Sequence, residues 1–217
     1  MKTIVSSRIM VILSLFLTDC SNSAKQEDNA DKIAAPDSVQ ESDSKFEPTG
    51  DSLDVAIMFK SSGWMGDGEQ GTQYIKFEGA SKENPHSPPT CIKVRYIPGY
   101  TQWGGIYWQN KDNNWGDAPG ENLTAKHFTA ITFYARGNSG GETVEFKAGG
   151  IKDKKYKDSF EVTLGKVPLD TNWQEYIISL EGKDLSSVIG GFCWVAAGAD
   201  NPSGATFFID DIKYVSK

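Results

Sequence analysis

An all-β sandwich or barrel is the fold the sequence predicts over residues 53–217, and three observations predict it. Short apolar–polar alternations recur along this stretch. Clusters of Gly, Asn, Pro and Asp separate them, and no segment sustains a helical period beyond a turn or two. Composition agrees, because all six tryptophans, all eight tyrosines and 21 of the 22 glycines lie after residue 52. The material for a packed core and tight turns is therefore confined to that part of the chain.

The chain begins with an address. Lys2 and Arg8 precede an apolar run from Ile9 to Leu17, and Leu17-Thr18-Asp19-Cys20 ends it. A basic start and a short apolar core make a secretory signal. A run of nine residues falls well short of the roughly 20 that a spanning helix needs. The position of Cys20 resembles the lipidation site of a bacterial lipoprotein signal, here over residues 1–20. Asp19 departs from the small residue that pattern prefers before its cysteine.

Residues 21–52 then read as a linker. They carry eight acidic residues, three lysines and a single aromatic, Phe46. Such a stretch cannot bury enough apolar surface to offset its ordering entropy. The expected organisation is a signal over 1–20, an acidic tether over 21–52 and a folded domain over 53–217.

Within that domain the clearest expected strands are Tyr74–Phe77, Cys91–Tyr96, Gly105–Gln109, Ala130–Arg136, Thr143–Ala148, Phe160–Leu164, Trp173–Leu180, Phe192–Ala196 and Thr206–Val215. In Ile92-Lys93-Val94-Arg95-Tyr96 apolar and charged residues alternate strictly, as a half-buried strand requires. Ile131, Phe133 and Ala135 likewise oppose Thr132, Tyr134 and Arg136. Asp184 is placed to cap a short helical turn.

Several chemistries find little support. With 29 acidic against 22 basic residues and a net charge of −7, a nucleic-acid surface is not expected. The only histidines, His86 and His127, look like a loop residue and a strand-edge residue, and no Cys or His pair has zinc-ligand spacing. No glycine-rich phosphate loop occurs. Two carboxylates distant in sequence could still meet in space. The densest strand pair, Glu142 and Glu145, has Lys147 beside it, which lowers a carboxyl pKa and suits no general acid. Glu145 and Lys147 share one sheet face, either as a solvated ion pair or as ligand contacts.

The stretch Pro98–Gly120 carries Tyr100, Trp103, Tyr107, Trp108 and Trp115, interleaved with Gln102, Gln109, Asn110, Asp112, Asn113, Asn114 and Asp117. Sugars present C–H faces to indole rings and hydroxyl edges to amides and carboxylates, so this loop suits a glycan. Aromatic rings also lose little conformational entropy on ordering a contact. The alternative is that these rings plug the end of the sandwich. Alternation puts Ile106 and Trp108 on one face and Tyr107 and Gln109 on the other, so either Tyr107 or Trp108 is core.

The terminal Gly204-Ala205-Thr206-Phe207-Phe208-Ile209-Asp210-Asp211-Ile212-Lys213-Tyr214 closely resembles the last strand of galactose-binding-like jelly-roll modules, which include many bacterial carbohydrate-binding modules. Gly63-Trp64, Ile131-Thr132-Phe133-Tyr134-Ala135 and Leu169-Asp170-Thr171-Asn172-Trp173-Gln174 are similar in kind. The resemblance implies a jelly-roll β-sandwich, glycan binding without catalysis, and one structural calcium. Asp210 is the implied calcium ligand, joined by Asp54 or Asp67. Hard oxygen donors suit that ion. Cys91 and Cys193, both in expected strands of an exported chain, leave a disulfide open.

The expected function is non-catalytic polysaccharide binding by an exported module, anchored by lipid to a bacterial envelope or released outside it. Stacking would come from Trp103, Tyr107, Trp108 and Trp115. Hydrogen bonds would come from Tyr134, Arg136, Glu145 and Lys147. The membrane enters only through the anchor at Cys20. The rivals are a structural or adhesive envelope lipoprotein that binds protein, and a small polysaccharide hydrolase or lyase.

Overall fold

Eleven strands form two antiparallel sheets in the computed structural model, which describes residues 51–216. The signal with Cys20, and the linker up to residue 50, lie outside the described residues. The strands are β1 (Ser52–Asp54), β2 (Lys60–Gly66), β3 (Ile75–Ser81), β4 (Cys91–Tyr96), β5 (Trp103–Gln109), β6 (Ala130–Gly137), β7 (Thr143–Gly149), β8 (Glu161–Pro168), β9 (Gln174–Ser179), β10 (Gly190–Ala197) and β11 (Ala205–Val215).

One sheet runs β3-β4-β11-β6-β9, with β1 also paired to β11; the other runs β2-β5-β10-β7-β8. Each is named here by its central strand, the β11 sheet and the β10 sheet. The fold is a jelly-roll β-sandwich, as the sequence predicts. The two sheets meet through aromatic rings. Phe133 of β6 lies 4.6 Å from Phe146 of β7 and 5.1 Å from Phe192 of β10, and Trp194 of β10 meets Phe207 of β11 at 5.1 Å. Such ring pairs add about 0.5–1.5 kcal/mol each beyond their buried area.

Most expected strands appear within a few residues of their predicted bounds. Alternation does not give β1 or β2, although the resemblance places a first strand near Gly63-Trp64, and it does not give the single helical turn α1 (Val55–Met58), capped by Asp54, whose Oδ1 accepts the Ala56 N–H at 2.8 Å. In β2 a register shift between Ser61 and Gly63 breaks the alternation that would have revealed the strand. Gly63 is required there, since a Cβ would fall 2.7–2.8 Å from the side chains of Gln109 and Tyr107. Asp184 caps no helix; its Oδ1 accepts the Ser186 N–H in a short turn. His127 does not stand on a strand edge but ends a 3₁₀ turn over Thr124–Lys126 with φ of 53°. Cys91 in the β11 sheet and Cys193 in the β10 sheet are both buried, free thiols.

Candidate functional site

The pleat of β5 divides the aromatic loop. Ile106 and Trp108 point inward, and Trp108 packs edge-on against Phe77 at 5.9 Å and Phe192 at 5.5 Å. It is core, which corrects its assignment as a ligand contact. Tyr107 points out of the β10 sheet, yet only 5% of it is exposed. Its hydroxyl donates to the Gly149 carbonyl at 2.9 Å, Trp115 meets its ring edge-on at 5.8 Å, and the Lys147 Nζ lies 5.8 Å from the ring centre. Burial pushes the Tyr107 hydroxyl pKa far up, so it stays a neutral donor. Trp103, at the start of β5, is 40% exposed, and Tyr100 before it is 88% exposed. Facing Trp103 is Gly66, with φ of 58°, where a Cβ would sit 3.0 Å from the indole ring. The glycine lets the indole lie against bare backbone.

Two polar side chains fix the loops that present these rings. Asp67 is fully buried, and its carboxylate accepts from the N–H groups of Gly99 and Thr101 at 2.7 Å, the Thr101 hydroxyl at 2.8 Å and the Tyr96 hydroxyl at 3.3 Å. Burial raises its pKa, but the Thr101 hydroxyl and the backbone donors outweigh that and hold it below the usual value. The Tyr96 hydroxyl is pushed up to about 12, by burial first and then by Asp67. Asn114 organises the next loop. Its Oδ1 accepts the N–H groups of Gly116, Asp117 and Ala118, and its Nδ2 donates to Asn110 Oδ1 and the Ala118 carbonyl. Gln109, fully buried, donates to the Asn114 carbonyl at 3.0 Å. Gln109 and Asn114, expected to meet sugar hydroxyls, instead hold the loop together.

The hydrogen-bonding candidates separate onto opposite faces of the sandwich. Glu145 and Lys147 stand on the outer face of the β10 sheet. Register places Met65, Gly105, Val195, Glu145 and Lys166 in one row across it, and Gly63, Tyr107, Cys193, Lys147 and Thr163 in the next. Thr163 and Lys166 are exposed; Met65, Val195, Glu145 and Lys147 are partly so. Glu145 accepts from the Thr163 hydroxyl at 3.0 Å. No ion pair joins it to Lys147 among the described residues. The sequence reading missed Met65, Thr163, Lys166 and Val195; the alternation of β8 and β10 was the available signal.

Tyr134 and Arg136 stand on the outer face of the β11 sheet, which a strap over residues 82–90 covers. The Arg136 guanidinium lies 3.7 Å from the centre of the Phe208 ring and 5.2 Å from that of Trp173, and Nη2 donates to the Glu83 carbonyl at 2.9 Å. His86 stacks on Tyr134 at 3.5 Å, and Trp173 Nε1 donates to the Asn84 carbonyl at 2.9 Å. Arg136 is 8% exposed and Phe208 1%. These two candidates therefore hold the strap and cannot share a ligand with Trp103, Glu145 and Lys147.

The calcium candidates divide as well. Asp67 lies near the Tyr96 end of β4, whereas Asp54 and Asp210 line a cleft of about 280 Å³ near its Cys91 end. Asp210 sits at the irregularity in β11, where its carboxylate accepts the N–H groups of Ser87 at 3.0 Å and Asp211 at 2.9 Å. Asp211, with φ of 50°, has its carboxylate on His86 Nδ1 at 2.7 Å, on the Ser87 hydroxyl and on Lys213 Nζ at 3.2 Å. Burial raises its pKa, and these three partners more than reverse the shift. Among the described residues no group of three or more His, Cys, Asp or Glu side chains is arranged to hold an ion. The residues do not fit a calcium cage, because protein donors already occupy the carboxylates.

No family model matches the chain, and no curated protein sequence does. Solved structures with a similar course include carbohydrate-binding modules. The family 11 module of a cellulosomal cellulase from Clostridium thermocellum is 13% identical over 79% of this chain and 97% of that one, with a TM-score of 0.49. A family 11 module from the same organism, solved with a β-1,3-1,4-mixed-linked tetrasaccharide, is 13% identical over 65% and 82%, with a TM-score of 0.46. A family 30 module of another cellulosomal cellulase from Clostridium thermocellum is 17% identical over 78% and 92%, with a TM-score of 0.46.

Proposed function

We propose that this chain is a non-catalytic glycan-binding module whose ligand lies across the outer face of the β10 sheet. The observation that carries the reading is Trp103, an indole 40% exposed and seated on Gly66, at the edge of that face. The face beside it offers the apolar side chains of Met65 and Val195 and the polar groups of Glu145, Lys147, Thr163 and Lys166. Tyr107, expected to stack on a sugar, is 5% exposed and bonded to the Gly149 carbonyl, so it lies beneath this face and the stacking falls to Trp103.

Binding without reaction follows from the same inventory. Of the acids at this face, Glu161 pairs with Lys152 and Asp200 with Lys166, and Glu145 is bonded to Thr163. The basic start, the apolar run to Leu17 and the acidic stretch to Ser52 support export and a lipid tether at Cys20.

Affinity electrophoresis through gels containing a panel of neutral and acidic polysaccharides tests the reading. At least one polymer should retard the protein, and Trp103→Ala should weaken that retardation at least fivefold without lowering the melting temperature. A stacked ring contributes about 1 kcal/mol beyond its buried area, and the buried area itself adds to this. Retardation by no polymer, or full retention by Trp103→Ala, would leave the envelope-structural rival as the better reading.

A further inference from the structure

Lysines without a carboxylate partner gather at the Trp115 end of the open face. Lys147 is partly buried there, its Nζ 5.8 Å from the centre of the Tyr107 ring. Trp115 meets that ring edge-on at 5.8 Å. Beyond Gly149 the chain runs Lys152-Asp153-Lys154-Lys155-Tyr156-Lys157 and returns to the loop that carries Trp115. The Tyr156 N–H donates to the Gly116 carbonyl at 3.0 Å, and Gly116, with φ of 98°, leaves no room for a Cβ against Lys154. Lys154 is thereby packed against Gly116, the residue after Trp115. Around the face Lys60 pairs with Asp112, Lys152 with Glu161 and Lys166 with Asp200. Lys147, Lys154 and Lys157 form no ion pair among the described residues.

The whole chain is acidic, so general attraction to polyanions is not the reason for this cluster. Screening over about 8 Å at physiological salt makes the nearest charges decide what a bound polymer meets. An indole at the edge of the face, with Lys147 over the neighbouring ring and Lys154 on the adjoining loop, matches a sugar ring that bears a carboxylate. The apolar ring face meets Trp115, and the anion meets compact donors that accept it from several directions.

We propose that the glycan taken by this face is acidic, with uronate-type carboxylates received by Lys147 and Lys154. The proposal rests on the glycan-binding reading above and deepens it. Anionic lipid headgroups offer lysines the same charge. The polymer is favoured because Lys147 lies within the sheet face, over Tyr107, and not at an exposed tip.

Isothermal titration with alginate and polygalacturonate, each beside its carboxyl-reduced form of equal length, tests the proposal. At least one acidic polymer should bind, with at least tenfold loss on carboxyl reduction. The double variant Lys147→Gln, Lys154→Gln should lose about as much while keeping the wild-type melting curve. Reduced or neutral polymers binding as tightly as acidic ones would overturn the acidic assignment and leave glycan binding intact. An unchanged affinity in the double variant would also overturn it. If no polymer of either kind binds, the glycan reading itself fails and takes this proposal with it. Co-sedimentation with phosphatidylglycerol vesicles that the double variant abolishes, without polymer binding, would assign the lysines to a lipid surface instead.

Discussion

The two outer faces of the sandwich hold the same kinds of residue and put them to opposite uses. On the β11 sheet Arg136, Lys93, Phe208, Tyr134 and Trp173 form a cationic and aromatic surface, and the 82–90 strap lies over it, joined through Glu83, Asn84, His86 and Ser87. On the β10 sheet Trp103 and Lys147, with Trp115 and Lys154 on adjoining loops, form a comparable set, and among the described residues the row of Met65, Val195 and Glu145 stays partly open. The chain between strands decides the difference, and strand composition does not. A nine-residue connection from β3 to β4 turns one face into a second small core, and the other face keeps Trp103 and its charges for a ligand.

The largest expected effect separates ring from ring within β5. Trp108 is wedged between Phe77 and Phe192, so Trp108→Ala should cost about 3–5 kcal/mol, the usual range for a truncated core tryptophan. Trp103, five residues earlier and two-fifths exposed, should cost less than about 1 kcal/mol on the same change. Urea denaturation followed by far-UV circular dichroism measures both. Equal losses would mean that Trp103 is structural, and the contrast between the faces would collapse.

A smaller effect compares the faces directly. Arg136→Ala removes a guanidinium stacked at 3.7 Å on Phe208 and the donor to the Glu83 carbonyl. Partly desolvated cation–π contact and a charged hydrogen bond together suggest a loss on the order of 2 kcal/mol. Lys147→Ala, on the open face, should fall within about 0.5 kcal/mol of wild type. Proteolysis should also cut first within residues 82–90 in Arg136→Ala. A strap that stays as protected as in wild type would show that Arg136 does not hold it.

These two faces also mark how far the sequence could be read. Alternation was legible wherever strands kept strict register, as in β4 and β6, and it gave the sandwich and the inward set Ile131, Phe133 and Ala135. It failed at β2, where glycine at 63 and a register shift interrupt the pattern for the sake of Gln109 and Tyr107. Alternation did assign Tyr134, Arg136, Glu145 and Lys147 to outer positions correctly. Which sheet each belonged to depended on strand order, and what covered each depended on a loop; neither leaves a local signal. The amides of the aromatic loop misled for a related reason. Asn114 and Gln109 have the chemistry of a sugar contact, but a loop must first satisfy its own backbone groups, and Asn114 accepts three of its N–H groups while Gln109 donates to one of its carbonyls.

The smallest expected effect concerns the acidic bulge of β11, where strap and sheet meet. A calcium bound only to the native state would stabilise it by about 2.7 kcal/mol at a hundredfold excess over its dissociation constant. For a domain of this size that is roughly 5–10 °C in melting temperature. The geometry gives the ion little to do, because Lys213, the Ser87 hydroxyl and His86 already surround Asp211, and backbone N–H groups occupy Asp210. Thermal unfolding in EDTA should therefore match that in millimolar calcium to within about 1 °C. A fall of several degrees that Asp210→Asn removes would put an ion in the cleft with Asp54. The strap would then be held by metal as well as by protein donors, and the covered face would differ from the open one for a second reason.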